Sequence, residues 1–354
     1  MIPSGGNNLT NDALLTADWP RCARRMQVPS YVRARSLPNV RNGSKVDIAG
    51  RIARRHGACG QSRPASTRLA RLQEVQTLIL LAAALAASPA APLRVATYAY
   101  PAYDRKVALA SMARLIAEET GRPTEVVLLS SPDELATALR ARRVDVAMTN
   151  LASFISASED QVVRPIAALS VPWTTLDGYR GVLLARREAG VRNLGDLAAA
   201  TGGLRYVEVL PGSTSGAMVQ AEALKRAGVD RCRFASVDQA GTHDAALERL
   251  FTDRSDVAAL AEGPWRDLRK VSPDRAQAVH EIWRSEPLPP GPIVCVHIAS
   301  VPCAKIAKRL VRGDFESQTA AASLARGWSE TAGATSFVRV PPGAYRVFTG
   351  AGRQ

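Results

Sequence analysis

From residue 93 onward, short runs of apolar and β-branched residues alternate with longer stretches whose apolar positions recur at helical spacing. The short runs predict strands over 93–97, 125–129, 144–149, 163–169, 181–185, 204–210, 233–236, 257–261, 278–283 and 293–298. A helix is predicted over 107–120, where Leu109, Met112 and Ile116 share one face, and Gly121-Arg122-Pro123 ends it. Another is predicted over 132–140, with Ser131 as cap and Pro132 at the first helical position. Strand and helix in alternation predict an α/β architecture.

Ten predicted strands are too many for one small sheet. Proline-rich breaks at 172–178 and 287–292 enclose a strand–helix repeat of their own. The simplest layout is two lobes, each a sheet flanked by helices, with the chain crossing between them twice. Residues 92–180 form lobe 1, 181–284 form lobe 2, and 285–354 return to lobe 1. Ligands bind such sheets at the carboxyl ends of the strands, so the cleft between lobes is the expected site.

The first ninety residues differ. Residues 1–66 lack apolar periodicity and read as a disordered leader. Residues 67–91 have the layout of a secretory signal: Arg68 and Arg71, an apolar run from Leu78 to Ala87, then Ser88-Pro89-Ala90-Ala91. A signal that deep in the chain points to a translation start downstream of Met1; a genuine N-terminal extension is the alternative. An ordinary buried helix is the competing reading of the apolar run, with Glu74 in its favour. Export to the periplasm follows from the signal reading.

Charge adds less than it promises. The net charge is +14, but residues 1–90 hold 13 Lys and Arg against 4 Asp and Glu, a net +9 that leaves +5 for the rest. A body at +5 needs no polyanion, so no nucleic-acid partner is expected. Cys232, Cys295 and Cys303 in the body lack metal-type spacing, and neither a metal nor a cofactor is implied. An oxidising compartment would permit a bridge between Cys295 and Cys303.

The chemistry-bearing stretch is Leu210-Pro211-Gly212-Ser213-Thr214-Ser215-Gly216, between a strand and the helix that runs to Arg226. Three hydroxyls and exposed N–H groups at a helix start make an anion cradle, and a plain capping loop is the other reading. It is neither a serine-hydrolase elbow, since Thr214 is central, nor a Walker loop. A second helix start, Gly241-Thr242-His243-Asp244, aims His243 at the mouth of the same lobe or leaves it on a polar surface turn. Tyr98, Tyr100 and Tyr103 follow the first strand, and Asn150 follows the third, all at carboxyl ends. No paired carboxylates or Cys–His arrangement stands out, which favours binding over catalysis.

These pieces together resemble the periplasmic substrate-binding proteins of phosphate, phosphite and phosphonate ABC transporters, the PhnD-like family, over about 93–340. The resemblance is carried by Arg140-Ala141-Arg142-Arg143-Val144-Asp145-Val146-Ala147, by Pro211 to Gly216, by Thr242-His243-Asp244 with Asp256-Val257-Ala258-Ala259, and by Ile282 to Pro292. It implies a two-lobed type II periplasmic-binding fold: a non-catalytic, monomeric protein that closes on a small oxyanion and delivers it to an ABC transporter permease. Ser213, Thr214 and Ser215 would hold the phosphoryl oxygens, with His243, Asn150 and Tyr100 or Tyr98 around them. Family members often carry Tyr where Phe154 stands and Asp where Ala261 stands, while Glu262 would face away on an extended strand. An enzyme or a ligand sensor on the same fold is the alternative.

Overall fold

The computed structural model describes residues 91–345 apart from residue 160. The expected leader and all but the last residue of the signal-like segment lie outside the described residues. In chain order the strands are β1 (Leu93–Tyr98), β2 (Thr124–Leu129), β3 (Val146–Met148), β4 (Val163–Leu169), β5 (Gly181–Arg186), β6 (Arg205–Glu208), β7 (Ser236–Gln239), β8 (Val257–Ala261), β9 (Val279–Arg284), β10 (Ile293–Val296) and β11 (Phe337–Val338).

They form two sheets. One runs β11-β4-β10-β3-β1-β2 and the other β7-β6-β8-β5-β9. β1, β2 and β3 are parallel, and β10 lies antiparallel between β3 and β4. In the second sheet β6, β7 and β8 are parallel, while β5 runs antiparallel to β8 and β9. The chain leaves the first sheet after β4, builds the whole second sheet, and returns after β9.

Each sheet is covered on both faces, which is why its strands read as continuous apolar runs. In β5, Val182 and Leu184 enter one buried cluster while Leu183 and Ala185 enter the other. In β1, Leu93 and Val95 face one side, and Ala96 and Tyr98 the other. The helices start at caps. Asp104 accepts from Val107 N ahead of Arg105–Thr120, and Gly121 ends that helix at φ 69°. Ser131 accepts from Glu134 N ahead of Pro132–Arg140. Asn150 and Ser153 form a reciprocal capping box for Leu151–Ala157.

One strand lies three residues downstream of its predicted place. β7 spans Ser236–Gln239 rather than 233–236, because the Asp230 side chain accepts from Cys232 N at 2.9 Å and holds Arg231–Arg233 in a 3-10 turn. β6 ends earlier than predicted because Val209 N donates to Gly216 O at 3.0 Å, drawing Val209 and Leu210 into the turn that follows. The two-residue β11 has no periodicity to reveal it. Cys295 of β10 is disulfide-bonded to Cys303, with Cα atoms 5.9 Å apart.

Candidate functional site

After β6 the chain doubles back, with Ser213 N donating to Leu210 O at 3.0 Å. Thr214–Met218 then form a π-helical turn, closed by Met218 N donating to Ser213 O at 2.9 Å, before the helix Val219–Arg226. A π turn is wider than an α turn, and the first N–H groups of a helical segment have no intrahelical acceptors. Buried Gln220 anchors it, its Nε2 donating to Ser215 O, Val182 O and Leu260 O at 2.6, 3.1 and 3.1 Å. Gly216 is required here, since a Cβ would lie 2.5 Å from Val209 Cγ2 and 3.0 Å from His243 Cε1.

This turn forms one wall of a cavity of about 770 Å³ between the ends of β1, β3, β6 and β8. All seven residues expected at a site line it: Tyr98, Tyr100, Asn150, Ser213, Thr214, Ser215 and His243. Ser213, Thr214 and Ser215 are each at least nine-tenths buried. Four of the seven already bridge the lobes: Thr214, Asn150, and Tyr100 with His243. Thr214 Oγ1 accepts from Ala152 N at 3.0 Å, and Asn150 Nδ2 donates to Gly212 O at 2.9 Å. With its Oδ1 accepting from Ser153 N at 2.8 Å, Asn150 serves the closure of the cleft as much as its lining.

His243 opens the helix His243–Arg249, capped by Thr242 Oγ1, which accepts from Ala245 N at 3.1 Å. Its Nδ1 accepts from Ala261 N at 2.9 Å. Burial, reinforced by the positive charge of Arg105, holds the imidazole pKa down to about 4. The ring is therefore neutral near pH 7, with its proton on Nε2. Tyr100 reaches across from the other lobe, its hydroxyl accepting from His243 N at 3.2 Å. Burial pushes the Tyr100 phenol up to about 12, so it keeps its proton and can donate it.

Three lining residues lie outside the sequence expectations. Tyr179, in the crossing from β4 to β5, brings its hydroxyl to the Ser215 and Thr214 side chains, and burial raises its pKa well above the usual phenol value. Arg105 and Glu330 line the cavity too. The position of Tyr179 in a lobe crossing was the available signal, because such a segment must run past the cleft. Phe154 is not at the site; its ring packs edge-on against Tyr345 at 5.1 Å. The Ala261 side chain does line the cavity. Glu262 begins the helix Glu262–Val271 and turns away, pairing with Arg284 at 2.8 Å.

Among the described residues no group of His, Cys, Asp and Glu could hold a metal ion. The part of the cavity wall around the Ser213–Ser215 turn carries hydroxyls, a neutral imidazole and helix-start amides able to donate to one small anion, while Glu330, Asp244, Glu248 and Asp267 put carboxylates elsewhere on the lining.

A family model described as ABC transporter, phosphonate, periplasmic substrate-binding protein matches residues 99–330. The chain belongs to this family. The binding protein is similar in structure to a binding protein component of an ABC phosphonate transporter from Pseudomonas aeruginosa, with 19% identity and a TM-score of 0.52 over 70% of this chain and 82% of that one. It is similar also to PhnD1 from Prochlorococcus marinus, solved in complex with methylphosphonate, at 16% identity and a TM-score of 0.54 over 74% and 97% of the two chains. A Xanthomonas citri protein bound to ATP gives 16% identity and a TM-score of 0.58 over 73% and 94%. No curated protein matches the sequence. The fold of the binding protein is the two-lobed type II periplasmic-binding fold. No helix among its described residues is long and apolar enough to cross a membrane.

Proposed function

We propose that the binding protein captures a phosphorus oxyanion, with a phosphonate as the leading candidate, in the cleft and presents it unchanged to an ABC permease after export to the periplasm. The observation that carries this reading is the convergence of hydrogen-bond donors on the cavity at the Ser213–Ser215 turn. Ser213, Thr214, Ser215, Tyr100 and Tyr179 offer hydroxyls, and His243 offers Nε2–H, since Ala261 N occupies Nδ1. A tetrahedral oxyanion satisfies such a shell. An imidazole fixed in this tautomer presents no lone pair to the cleft, so it cannot activate a neighbouring serine as a base. Hinge closure of two lobes around the ligand is the usual motion of periplasmic binders.

The test is a thermal-shift and calorimetric comparison of phosphate, phosphite, methylphosphonate, 2-aminoethylphosphonate and sulfate on the purified protein, since a ligand that binds only the folded state raises the melting temperature. A selective rise with one phosphorus oxyanion, weakened in Thr214→Ala, is the expected result. Equal response to sulfate, or none to any phosphorus compound, overturns it.

A further inference from the structure

Arg105 is the first residue of the helix Arg105–Thr120, a position where a positive charge opposes the helix dipole. The only acidic residue at that helix start is the N-cap Asp104, whose carboxylate is taken up by Val107 N. Its side chain is nonetheless buried, with the residue 4% exposed, and lines the cavity. The guanidinium is held in one orientation: Nε donates to Gly327 O at 2.9 Å and Nη1 to Tyr98 O at 3.3 Å. Three rings enclose it, with centroids at 4.2 Å for Tyr98, 4.3 Å for Trp328 and 4.9 Å for Tyr100.

A guanidinium has five N–H donors; Gly327 O and Tyr98 O take two of them and the Tyr98 hydroxyl engages the group as well, which leaves donors for a ligand. No carboxylate among the described residues comes within ion-pair distance of Arg105. Glu330 lines the same cavity at longer range. A cation this deeply buried is costly unless an anion pairs with it, and the aromatic faces offset only part of that cost. Its place relative to the oxyanion cradle is equally informative. The Tyr100 ring spans the gap: its face lies 4.9 Å from the guanidinium, and its hydroxyl meets His243 N at 3.2 Å. Arg105 therefore packs directly on Tyr100, one of the donors around the phosphorus group, so a ligand held by that hydroxyl has the guanidinium beside its organic arm.

We propose that Arg105 binds a carboxylate carried on the organic arm of the ligand, so that the preferred cargo is a phosphonocarboxylate rather than an alkylphosphonate or inorganic phosphate. This rests on the reading of Ser213 to Ser215 as the phosphonate cradle. The planar fork of arginine matches a carboxylate in two parallel hydrogen bonds, and the three rings hold the fork in place before the ligand arrives. The cavity of about 770 Å³ leaves room for such an arm. An arm ending in an ammonium would meet Arg105 as a like charge.

The experiment is isothermal titration of the intact protein with methylphosphonate, phosphonoacetate, 3-phosphonopropionate and 2-aminoethylphosphonate. One phosphonocarboxylate is expected to bind about 10- to 100-fold more tightly than methylphosphonate, the worth of a hydrogen-bonded charge pair. Arg105→Gln is expected to lower phosphonocarboxylate affinity by about 10-fold or more beyond any change in methylphosphonate affinity, so that the preference disappears. The wild-type ranking alone decides if Arg105→Gln does not fold: equal binding of methylphosphonate and both phosphonocarboxylates, or preference for 2-aminoethylphosphonate, overturns the proposal. A parallel loss of methylphosphonate in a folded Arg105→Gln overturns it too, by placing Arg105 on the phosphorus group. Failure of every phosphonate to bind removes the cradle reading and this proposal together, whereas methylphosphonate binding without a carboxylate preference removes this proposal alone.

Discussion

The backbone N–H of Ala261 donates to His243 Nδ1 at 2.9 Å, joining the end of β8 to the first residue of the helix His243–Arg249. That bond decides what the imidazole can do. With Nδ1 accepting, the single proton of the neutral ring sits on Nε2. An aspartate in place of Ala261 would still leave this backbone donor in position.

His243→Asn keeps an amide near the Nδ1 position but does not reach the Nε2 position. Phosphonate binding in this variant is expected to weaken by about 10- to 100-fold, the range for a hydrogen bond to a charged group. His243→Gln reaches further and is expected to lose less. Titration calorimetry on the two variants checks this, and unchanged affinity in His243→Asn would take the imidazole out of the site.

The same burial makes stability depend on pH. The His243 pKa is depressed to about 4 from an ordinary value of 6.5. The native state therefore favours the neutral ring, and the unfolded chain takes up its proton first as pH falls. The contribution is fully present above pH 6.5 and is lost as pH drops from there toward about 4. Its slope reaches at most about 1.4 kcal/mol per pH unit. Urea unfolding followed across this window is expected to show a shallower decline in His243→Gln than in the unmodified protein. The difference between the two isolates this residue from carboxyls such as Asp133, which burial shifts upward, and Asp256, which Arg205 shifts downward. Identical slopes would contradict a neutral His243 held by the Ala261 N–H.

The disulfide offers a test in the first sheet. Cys295 is fully buried in β10 and Cys303 is 4% exposed, with eight residues of sequence separation. Closing so short a loop limits the unfolded chain by about 2–3 kcal/mol in the chain-entropy picture. Cys295→Ala with Cys303→Ala is expected to lower the unfolding free energy by that amount or slightly more, since a small packing defect is added. Phosphonate affinity is expected to hold, because neither residue lines the cavity. A loss of affinity would show that the first sheet, and not only the cleft wall, changes on reduction.

What the sequence showed of this fold and what it hid divide along physical lines. Strands buried on both faces, such as β5 with Val182 to Ala185, announce themselves because every position must be apolar. The two lobe crossings are legible as prolines. The hydroxyl-rich turn at Ser213–Ser215 is legible too as a helix start at the end of a strand, which is where the cavity lies. Tyr179 and Arg105 were not visible, since their roles depend on where long side chains end in space. Nothing in the sequence marks Arg105, which is buried only because Tyr98 and Tyr100 from the exit of β1 meet Trp328 from a segment more than 200 residues away. The choice between Tyr98 and Tyr100 is equally tertiary. Both line the cavity, but the Tyr100 hydroxyl meets the His243 backbone while Tyr98 lies against Arg105.

Closure of the cleft depends on one glycine. Gly212 has φ 75°, and a Cβ there would lie 2.2 Å from Asp133 Oδ1 and 2.9 Å from Asp133 N. The aspartate oxygen can swing aside, but the backbone nitrogen belongs to the first turn of the helix Pro132–Arg140 and moves only with it. In Gly212→Ala the lobes are expected to stand further apart, stretching the bonds from Asn150 Nδ2 to Gly212 O and from Ala152 N to Thr214 Oγ1. The left-handed backbone adds about 1–2 kcal/mol of local strain in both open and closed forms. That strain lowers the melting temperature without affecting the balance between the forms. The steric contact acts on the closed form alone and so appears as lost affinity. Small-angle scattering with saturating phosphonate is expected to show a larger radius of gyration in Gly212→Ala than in the unmodified protein. Adding Asp133→Ala is expected to recover part of the affinity, since it removes the nearer contact but leaves the backbone one. Full affinity in Gly212→Ala would mean that the bound form is more open than the arrangement in which Asn150 reaches Gly212.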